Sequence, residues 1–316
     1  MATKYCPQCQ TVVTQPLQLC PKCEAVLSLK DPYSLVGRTL LDRYQIEALV
    51  GLGGMGAVYC AFHQGIERRV AIKVLQPNIA LADERLVELF EREAKVAGRL
   101  THENIVDVKD AGRIEDSGST LAYIVMEWLD GRTLEDELQQ LRQTGGQLSF
   151  AQTHEIARQM TSALAEAHSK NVVHRDLKPA NVMLLNKPDG RIAVKVLDFG
   201  IGKIVNQTGA AVSAVMGTPN YASPEQLQLG GKLDHRSDIY SMGVMLYRMI
   251  GGRLPFNSAS LPELIQLQLN STPTALRVLR PDVPVALEAL VHRMLAKNAD
   301  DRPQSPPPRP ATSRRC

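Results

Sequence analysis

The pattern of apolar and polar residues changes period along the chain, and these changes predict its elements. From Tyr44 to Leu75, short runs rich in β-branched and aromatic residues alternate with glycine-containing turns, which is typical of consecutive antiparallel strands. A further strand pair ends in residues 121–129, LAYIVMEWL. Residues 83–100 instead have helical spacing, with these residues expected on one apolar face: Leu86, Leu89, Phe90, Ala97 and Leu100.

After Gly131 the pattern is mainly helical. It predicts a strand at 192–197 and helices near residues 133–143, 150–169, 237–250, 262–269 and 284–296. The order of strands first and helices later predicts an α+β architecture with two lobes. No internal repeat is visible, and the proline-rich tail is expected to be extended or disordered.

Composition and charge argue against several classes of partner. The 316 residues include 36 Lys and Arg against 33 Asp and Glu, which gives a net charge of +3, and only 4% are aromatic. Because there is no dense basic stretch, nucleic-acid binding is not expected. No run approaches the roughly 20 apolar residues that span a bilayer, and residues 1–10 lack the apolar core of a signal peptide. We therefore expect no membrane span and a cytoplasmic location.

Four of the six cysteines form two C-x-x-C pairs in the first 23 residues, namely Cys6, Cys9, Cys20 and Cys23. Without a secretory signal, a disulfide framework is disfavoured. The spacing resembles a zinc ribbon, in which two tight turns present four thiolates to a structural Zn²⁺. Four protein ligands leave no open position for catalysis by this metal. Redox thiols and iron are the alternatives.

Three glycines in the first strand region form a G-x-G-x-x-G pattern, namely Gly51, Gly53 and Gly56. Missing β-carbons let backbone amides approach phosphate oxygens closely, although an ordinary glycine-rich hairpin gives the same pattern. A dinucleotide-binding fold requires a helix directly after the glycines. Residues 57–62, AVYCAF, have strand character instead, so that fold is disfavoured.

Lys73 is a single amine in an apolar strand, residues 70–73, VAIK. It either neutralises a bound anion or lies on an edge strand and reaches solvent. Glu93 lies on the apolar stripe of the predicted helix, where a carboxylate needs a cationic partner because an unpaired buried charge is costly. Lys73 is the natural partner, since adjacent positions such as Arg92 do not face Glu93.

Two later segments complete an ordered set, HRDLKPAN at residues 174–181 and DFG at 198–200. With the glycine pattern, VAIK and Glu93, they resemble the eukaryotic-type (Hanks-type) protein kinase family, in particular its bacterial serine/threonine branch. The resemblance covers residues 44–302 and implies a two-lobed protein kinase fold, preceded by the zinc ribbon. The expected boundaries are zinc ribbon 1–30, linker 31–43, β-rich N-lobe 44–126, helical C-lobe 130–302 and Pro-rich tail 303–316.

The resemblance assigns roles to the polar residues of these motifs. Asp176 would accept or orient the proton of the substrate hydroxyl, and Lys178 would neutralise charge on the moving phosphoryl group. Asn181 and Asp198 would hold two Mg²⁺ ions, for which amide and carboxylate oxygens are suitable ligands. Lys73 would hold the α- and β-phosphates of ATP and would be kept in place by Glu93.

The resemblance also implies the rest of an ATP pocket. Met126 would lie at the back of the adenine site, although a lone methionine is more often a core residue. Backbone groups of Glu127 and Leu129 would bond adenine. The remaining positions lie in the glycine loop and the strand of Lys73: Val50, Gly51, Leu52, Gly53, Gly54, Met55, Gly56, Ala57, Val58 and Ala71.

Further family landmarks follow. Residues 217–226, GTPNYASPEQ, resemble the end of an activation segment, with Ser223 in place of the usual alanine. The resemblance implies that Asp238 bonds the backbone of the HRDLKPAN loop and that Glu225 pairs with Arg302. After Arg302 the family continues into a closing helix, whereas this chain has PPPRP. We therefore expect the C-lobe to lack its last helix, through a truncated or altered C-terminus.

Control by phosphorylation is implied as well. In the family, an arginine at the place of Arg175 commonly binds a phosphorylated residue of the activation segment, and a guanidinium offers paired donors that suit phosphate. Thr208 and Ser213 are the candidate hydroxyls, with Ser213 preferred because it lies nearer GTPNY. The alternative is that both are solvated loop hydroxyls and that Arg175 pairs with a carboxylate.

With Lys178 in HRDLKPAN and Thr218 in GTPNY, the chain resembles the serine/threonine branch of the family rather than the tyrosine branch. The resemblance therefore implies a serine/threonine kinase that uses ATP, acts on protein substrates in signal transduction and phosphorylates its own activation segment. A pseudokinase or nucleotide-binding scaffold, and a small-molecule kinase, are the alternatives. A docking partner is expected for the zinc ribbon.

Overall fold

The computed structural model describes residues 4–5, 12–13, 22, 35–53, 56–75, 84–116, 119–187, 190–199, 219–228 and 233–304. They form two compact units. The first unit contains the described residues up to Arg99 together with Asp107–Leu129, and the second contains Leu100–Val106 together with the described residues from Asp130 onward. None of the helices in these ranges has the length and apolar character that a membrane crossing requires.

The first unit contains two antiparallel sheets and one helix. Its elements, in chain order, are β1 (Lys4–Tyr5), β2 (Val12–Val13), β3 (Thr39–Leu40), β4 (Tyr44–Leu52), β5 (Gly56–His63), β6 (Arg68–Leu75), α1 (Glu84–Ala97), β7 (Val108–Asp116) and β8 (Ser119–Glu127). Strands β1 and β2 pair with each other, and the larger sheet has the order β3-β4-β5-β6-β8-β7.

The two faces of the larger sheet pack differently because alternate residues of a strand point to opposite sides. One face carries a core of side chains from β4, β5, β6 and β8, among them Val70, Ile72 and Val74. Leu75 lies on the other face, where α1 packs. The buried residues of α1 are spaced by three and four, as its helical period requires: Val87, Phe90 and Ala94.

The helix predicted at 83–100 is confirmed, but it is shorter, and its described buried side chains include Val87 and Ala94, which were not predicted on the apolar face. Phe90 is buried as predicted, whereas Ala97 is only half-buried. Leu100 lies beyond the helix end and packs in the core of the second unit. The side chains of Leu86 and Leu89 lie outside the described residues.

Part of the predicted linker, residues 31–43, belongs to the sheet of the first unit. From Leu35 onward its apolar side chains enter the core, where Leu35, Val36 and Leu40 are buried. Strand β3 pairs with the start of β4. The apolar run is short and interrupted by Gly37, so its pattern is too weak to predict a strand.

The second unit is mainly helical, with a three-stranded sheet in the order β11-β10-β9. Its elements, in chain order, are β9 (Arg132–Thr133), α2 (Leu134–Thr144), α3 (Phe150–Ser169), β10 (Val182–Asn186), β11 (Ile192–Val196), α4 (Pro224–Leu227), α5 (Arg236–Gly251), α6 (Leu261–Asn270), α7 (Leu276–Leu279) and α8 (Val285–Met294). The five helices predicted from spacing and the strand at 192–197 are confirmed. Helix α5 lies at the centre of the core and is buried on nearly all sides.

Residues 100–106 fall within the predicted N-lobe but belong to the second unit. Asn104 is buried, and its amide nitrogen donates to Gln159 Oε1 of α3 (2.8 Å) and to Val194 O of β11 (2.9 Å). Ile105 forms a parallel bridge with Val196. These contacts join positions 55 and 90 residues apart, and no local pattern reveals them.

Candidate active site

The loop that begins at His174 is anchored by one buried carboxylate. Asp238 of α5 has no exposed surface and accepts the backbone N–H groups of His174 and Arg175, both at 2.9 Å. It also accepts a hydrogen bond from His168 Nε2 at 2.8 Å. Three donors offset the burial of this charge. The predicted contact between Asp238 and the HRDLKPAN loop is confirmed.

The peptide bond between Arg175 and Asp176 is held on both sides. Its N–H, from Asp176, donates to His174 Nδ1 at 3.3 Å, and its carbonyl, from Arg175, accepts from Gln226 Nε2 at 2.7 Å. His174 Nε2 donates to Leu197 O at 2.8 Å, which leaves Nδ1 as the acceptor. Arg175 itself has φ +67°, a conformation that non-glycine residues rarely adopt.

The side chain of Asp176 accepts hydrogen bonds from two neighbouring side chains. Its Oδ2 accepts from Lys178 Nζ at 2.7 Å and from Asn181 Nδ2 at 3.1 Å. Asn181 Nδ2 also donates to the backbone carbonyl of Asp176 at 2.8 Å. Asp176 keeps 32% of its side-chain surface exposed, so a substrate can reach it. A carboxylate, an ammonium group and an amide are thus held together in one accessible cluster.

Strand register brings Asp198 to this cluster. Strand β10 starts directly after Asn181, β11 ends two residues before Asp198, and Val182 and Val196 are directly opposite. Leu197 N–H then donates to Asn181 O at 2.9 Å. Phe199 is buried, and its ring centroid lies 4.8 Å from that of His174, which fixes the chain next to Asp198.

The oxygens of Asn181 and Asp198 suit a hard cation. Both hydrogen bonds from the Asn181 side chain to Asp176 use the amide nitrogen, so the amide oxygen is the atom of this side chain that could bind a metal. Amide and carboxylate oxygens are the ligands that Mg²⁺ prefers. The donor set therefore fits Mg²⁺.

Residues 219–228 are the described end of the segment that resembles an activation segment, and we call them the segment end. A buried ion pair fixes them. Arg302 is fully buried and donates to both carboxylate oxygens of Glu225 at 2.7 Å. Burial is the largest single influence and raises the pKa of Glu225. The hydrogen bonds and charge of Arg302, together with a backbone hydrogen bond and one from Ser237, outweigh it and hold the pKa below its usual value. The predicted pairing of Glu225 with Arg302 is confirmed.

A second cluster holds the same segment to two helices. Arg248 of α5 donates to both carboxylate oxygens of Glu135 in α2, at 2.6 and 2.8 Å, and to the hydroxyl of Tyr221 at 2.6 Å. Burial raises the pKa of Tyr221 to about 12, partly opposed by Arg248, so this hydroxyl stays protonated. Sequence patterns do not predict this contact.

The glycine pattern lies at the turn between β4 and β5. Gly53 N–H donates to Gly56 O at 2.9 Å. A β-carbon on Gly56 would lie 2.6 Å from Val74 O, so the packing of the sheet itself requires this glycine. A β-carbon on Gly51 or Gly53 would meet nothing closer than 3.7 Å, so packing among the described residues does not require these two glycines.

Lys73 lies on an interior strand, since β6 is between β5 and β8. The residue is 9% exposed, which contradicts the alternative of a solvent-reaching lysine on an edge strand. Alternation along β6 places it on the same face as Leu75, against which α1 packs. Glu93 belongs to α1, but its side chain lies outside the described residues, so its pairing with Lys73 stays a prediction.

The other residues predicted for the adenine site lie around the same strands. Ala71 and Met126 are opposite each other in the pairing of β6 with β8. Glu127, at the end of β8, donates its backbone N–H to Asp107 O at 3.0 Å. The described members of the glycine loop include Val50 and Leu52, which are 50% and 57% exposed.

Several predicted residues lie outside the described residues: Cys6, Cys9, Cys20, Cys23, Gly54, Met55, Thr208 and Ser213. Conversely, the prediction missed His174 and Gln226, which hold the peptide bond before Asp176. For Gln226 a signal exists, because Ser223 and Gln226 form the S-x-x-Q capping box of α4. The capping box predicts the helix start but not the contact with Arg175.

Comparison with known proteins also identifies a protein kinase domain in this chain. A family model described as protein kinase domain matches residues 44–307. The chain is 42% identical over 285 residues to serine/threonine-protein kinase pkn3 of Myxococcus xanthus, covering 87% of this chain and 50% of that protein. It is 39% identical over 269 residues to PknB of Mycolicibacterium smegmatis, covering 84% and 41%, respectively.

A solved structure is also similar. The kinase domain of Mycobacterium tuberculosis PknI matches with a TM-score of 0.65 and 30% identity, covering 85% of this chain and 93% of that domain. The chain spans half or less of the length of pkn3 and PknB. The family match nevertheless includes the Asp176 loop, the strand of Lys73 and the Glu225–Arg302 pair, and the chain belongs to the protein kinase family, with bacterial relatives of the Hanks type.

Proposed function

We propose that this protein is a serine/threonine protein kinase that transfers the γ-phosphate of ATP to hydroxyls of protein substrates. The observation that carries the proposal is the cluster of Asp176, Lys178 and Asn181, with Asp198 at the neighbouring strand end. Phosphoryl transfer needs mainly positioning and charge stabilisation. The relatives pkn3 and PknB are serine/threonine-protein kinases, which supports this choice of hydroxyl.

Each residue of the cluster has a role in this reaction. The Asp176 carboxylate orients the substrate hydroxyl and accepts its proton. Lys178 neutralises charge on the transferred phosphoryl group. Asn181 and Asp198 would hold Mg²⁺, which supplies positive charge to the phosphates when bound.

The first unit carries the groups proposed to bind the nucleotide. Lys73 binds the α- and β-phosphates and is paired with Glu93. Gly51 and Gly53 allow the backbone to approach phosphate oxygens. We propose that Ala71 and Met126 contact adenine and that backbone groups of Glu127 and Leu129 bond it.

A pseudokinase or scaffold remains the second candidate function. Loss of Lys73, Asp176, Asn181 or Asp198 would favour it, and all four are present.

We propose a kinase domain that ends at residue 302, as the sequence predicts. Its start moves from residue 44 to residue 35, because Leu35 and Val36 pack in the core of its first unit.

The kinase proposal predicts labelled phosphate on protein hydroxyls. We expect purified protein with labelled ATP and Mg²⁺ to phosphorylate casein on Ser and Thr, and mass spectrometry to find phosphate on Thr208 or Ser213 of the enzyme itself. The Lys73→Met variant is the control and should transfer none. ATP binding without transfer to any protein would contradict the proposal and indicate a scaffold, and transfer to small molecules alone would indicate a small-molecule kinase.

We also propose that residues 1–30 form a zinc ribbon. The antiparallel pairing of β1 with β2 sets Tyr5 opposite Val12, and the connection between them contains the first cysteine pair, Cys6 and Cys9. The C-x-x-C spacing of this pair is typical of structural zinc sites. With four thiolate ligands the site would stabilise the module, which we propose docks a partner protein.

This proposal predicts about one zinc ion per chain. Metal analysis should find that ratio in the full protein and almost none in a variant that begins at Ser34. Replacing Cys20 and Cys23 with serine should also remove the metal, whereas replacing Cys60, which lies in β5, should not. Equal zinc in the full and shortened proteins would overturn the proposal.

A further inference from the structure

We propose that Gln226 is a positioning residue for Asp176, and that it links the end of the activation segment to the catalytic loop. The inference rests on the proposed kinase function. Its basis is the hydrogen bond from Gln226 Nε2 to the carbonyl of Arg175, at 2.7 Å. That carbonyl belongs to the peptide bond that carries Asp176.

The orientation of the Gln226 amide is determined by its partners. Its Oε1 accepts from the backbone N–H of Ser223 at 3.0 Å and from the Ser223 hydroxyl at 3.1 Å. A backbone N–H can only donate, and the Arg175 carbonyl can only accept. The amide oxygen must therefore face Ser223, and the amide nitrogen must face Arg175.

The anchoring matters because Arg175 is in an unfavourable conformation. Its φ of +67° lies in the left-handed region, which is unfavourable for a non-glycine residue. Two side chains from separate elements hold its backbone, since Asp238 accepts its N–H and Gln226 donates to its carbonyl. Loss of either partner allows the peptide bond before Asp176 to rotate towards a favourable conformation.

Gln226 is itself placed by the segment end. The preceding residue, Glu225, is held by Arg302 and by the hydroxyl of Ser237. Ser223 is fully buried and fixes the amide through the capping box. When residues 219–228 are docked in this way, Gln226 completes the support of Arg175. When they are displaced, the support is lost, so docking of the segment and orientation of Asp176 are coupled.

Two substitutions test the hydrogen bond. Gln226→Glu keeps the size and the acceptor towards Ser223 but places a carboxylate oxygen against the Arg175 carbonyl. Gln226→Met removes the donor without adding charge. The matched control is Gln228→Glu, the same chemical change two residues later at an exposed position. Both Gln226 variants should lower kcat by about 10-fold or more, with the KM for ATP unchanged, whereas the control should match wild type.

A second readout does not depend on activity. Hydrogen–deuterium exchange of a peptide covering residues 172–178 should be about 2- to 10-fold faster in both Gln226 variants, the factor expected from losing one hydrogen bond. The melting temperature should stay near that of wild type. Unchanged exchange with unchanged kcat would overturn the inference, as would a loss shared equally by Gln228→Glu. If the wild type transferred no phosphate, the kinase proposal would fail, and the exchange result would still decide whether Gln226 positions the loop.

Discussion

Replacing Asp176 with alanine is expected to lower kcat at least about 100-fold while ATP still binds. In the proposed mechanism the carboxylate acts on the substrate hydroxyl, and its described partners are Lys178 and Asn181. Its removal therefore affects transfer rather than binding of the nucleotide. Steady-state kinetics with a protein substrate and calorimetric titration with ATP and Mg²⁺ would measure the two effects separately.

Asp282→Ala is the matched control for this substitution. Asp282 is also an aspartate of the second unit, but its side chain is 66% exposed, and it contacts Arg280. We expect wild-type kinetics from this control. Wild-type turnover in Asp176→Ala, with contaminating kinases excluded by a separately purified inactive variant, would refute the role of Asp176.

Replacing Arg302 with methionine is expected to lower the free energy of unfolding by about 3–5 kcal/mol. All five N–H donors of Arg302 are used, two on Glu225 and one each on the carbonyls of Ala296, Arg236 and Lys297. Without the guanidinium, the mostly buried Glu225 carboxylate keeps only weaker donors such as Ser237. Urea denaturation followed by circular dichroism measures the loss.

The control for Arg302→Met is an ion pair of similar geometry that is exposed to solvent instead of buried. Arg158→Met also removes a two-point contact with a carboxylate, that of Glu155, but both partners are on the surface. Water replaces the lost partner there, so we expect little change in the unfolding midpoint. Replacing Glu225 and Arg302 together by methionine should recover part of the stability, because no buried charge is then left alone. Equal losses in Arg302→Met and Arg158→Met would contradict this explanation.

The effect of Arg302→Met should depend on pH. The pKa of Glu225 is lowered in the folded protein, so the pair contributes fully above the unfolded pKa of about 4.3. Its contribution is lost as the pH falls through the lowered folded value. The difference between wild type and the variant should therefore be largest at neutral pH and shrink in acid.

Much of the fold and of the candidate site follows from the sequence alone. Helices α2, α3, α5, α6 and α8, and the strands around Lys73, are predicted because their burial repeats every few residues. The cluster of Asp176, Lys178 and Asn181 is also local, since its members lie within six residues and one loop brings them together. Local geometry and period are properties of the chain itself.

Tertiary structure decided what depends on contacts between distant residues. Residues 100–106 belong to the second unit, where Asn104 bonds Gln159. Leu35 and Val36 pack in the core of the larger sheet. The tertiary structure showed that the sheet requires Gly56 for close packing, whereas the packing of the described residues leaves space at Gly51 and Gly53. It also revealed the contact of Gln226 with Arg175, 51 residues away. A hydrogen bond between distant segments has no period in the sequence, because it depends on how the intervening elements pack.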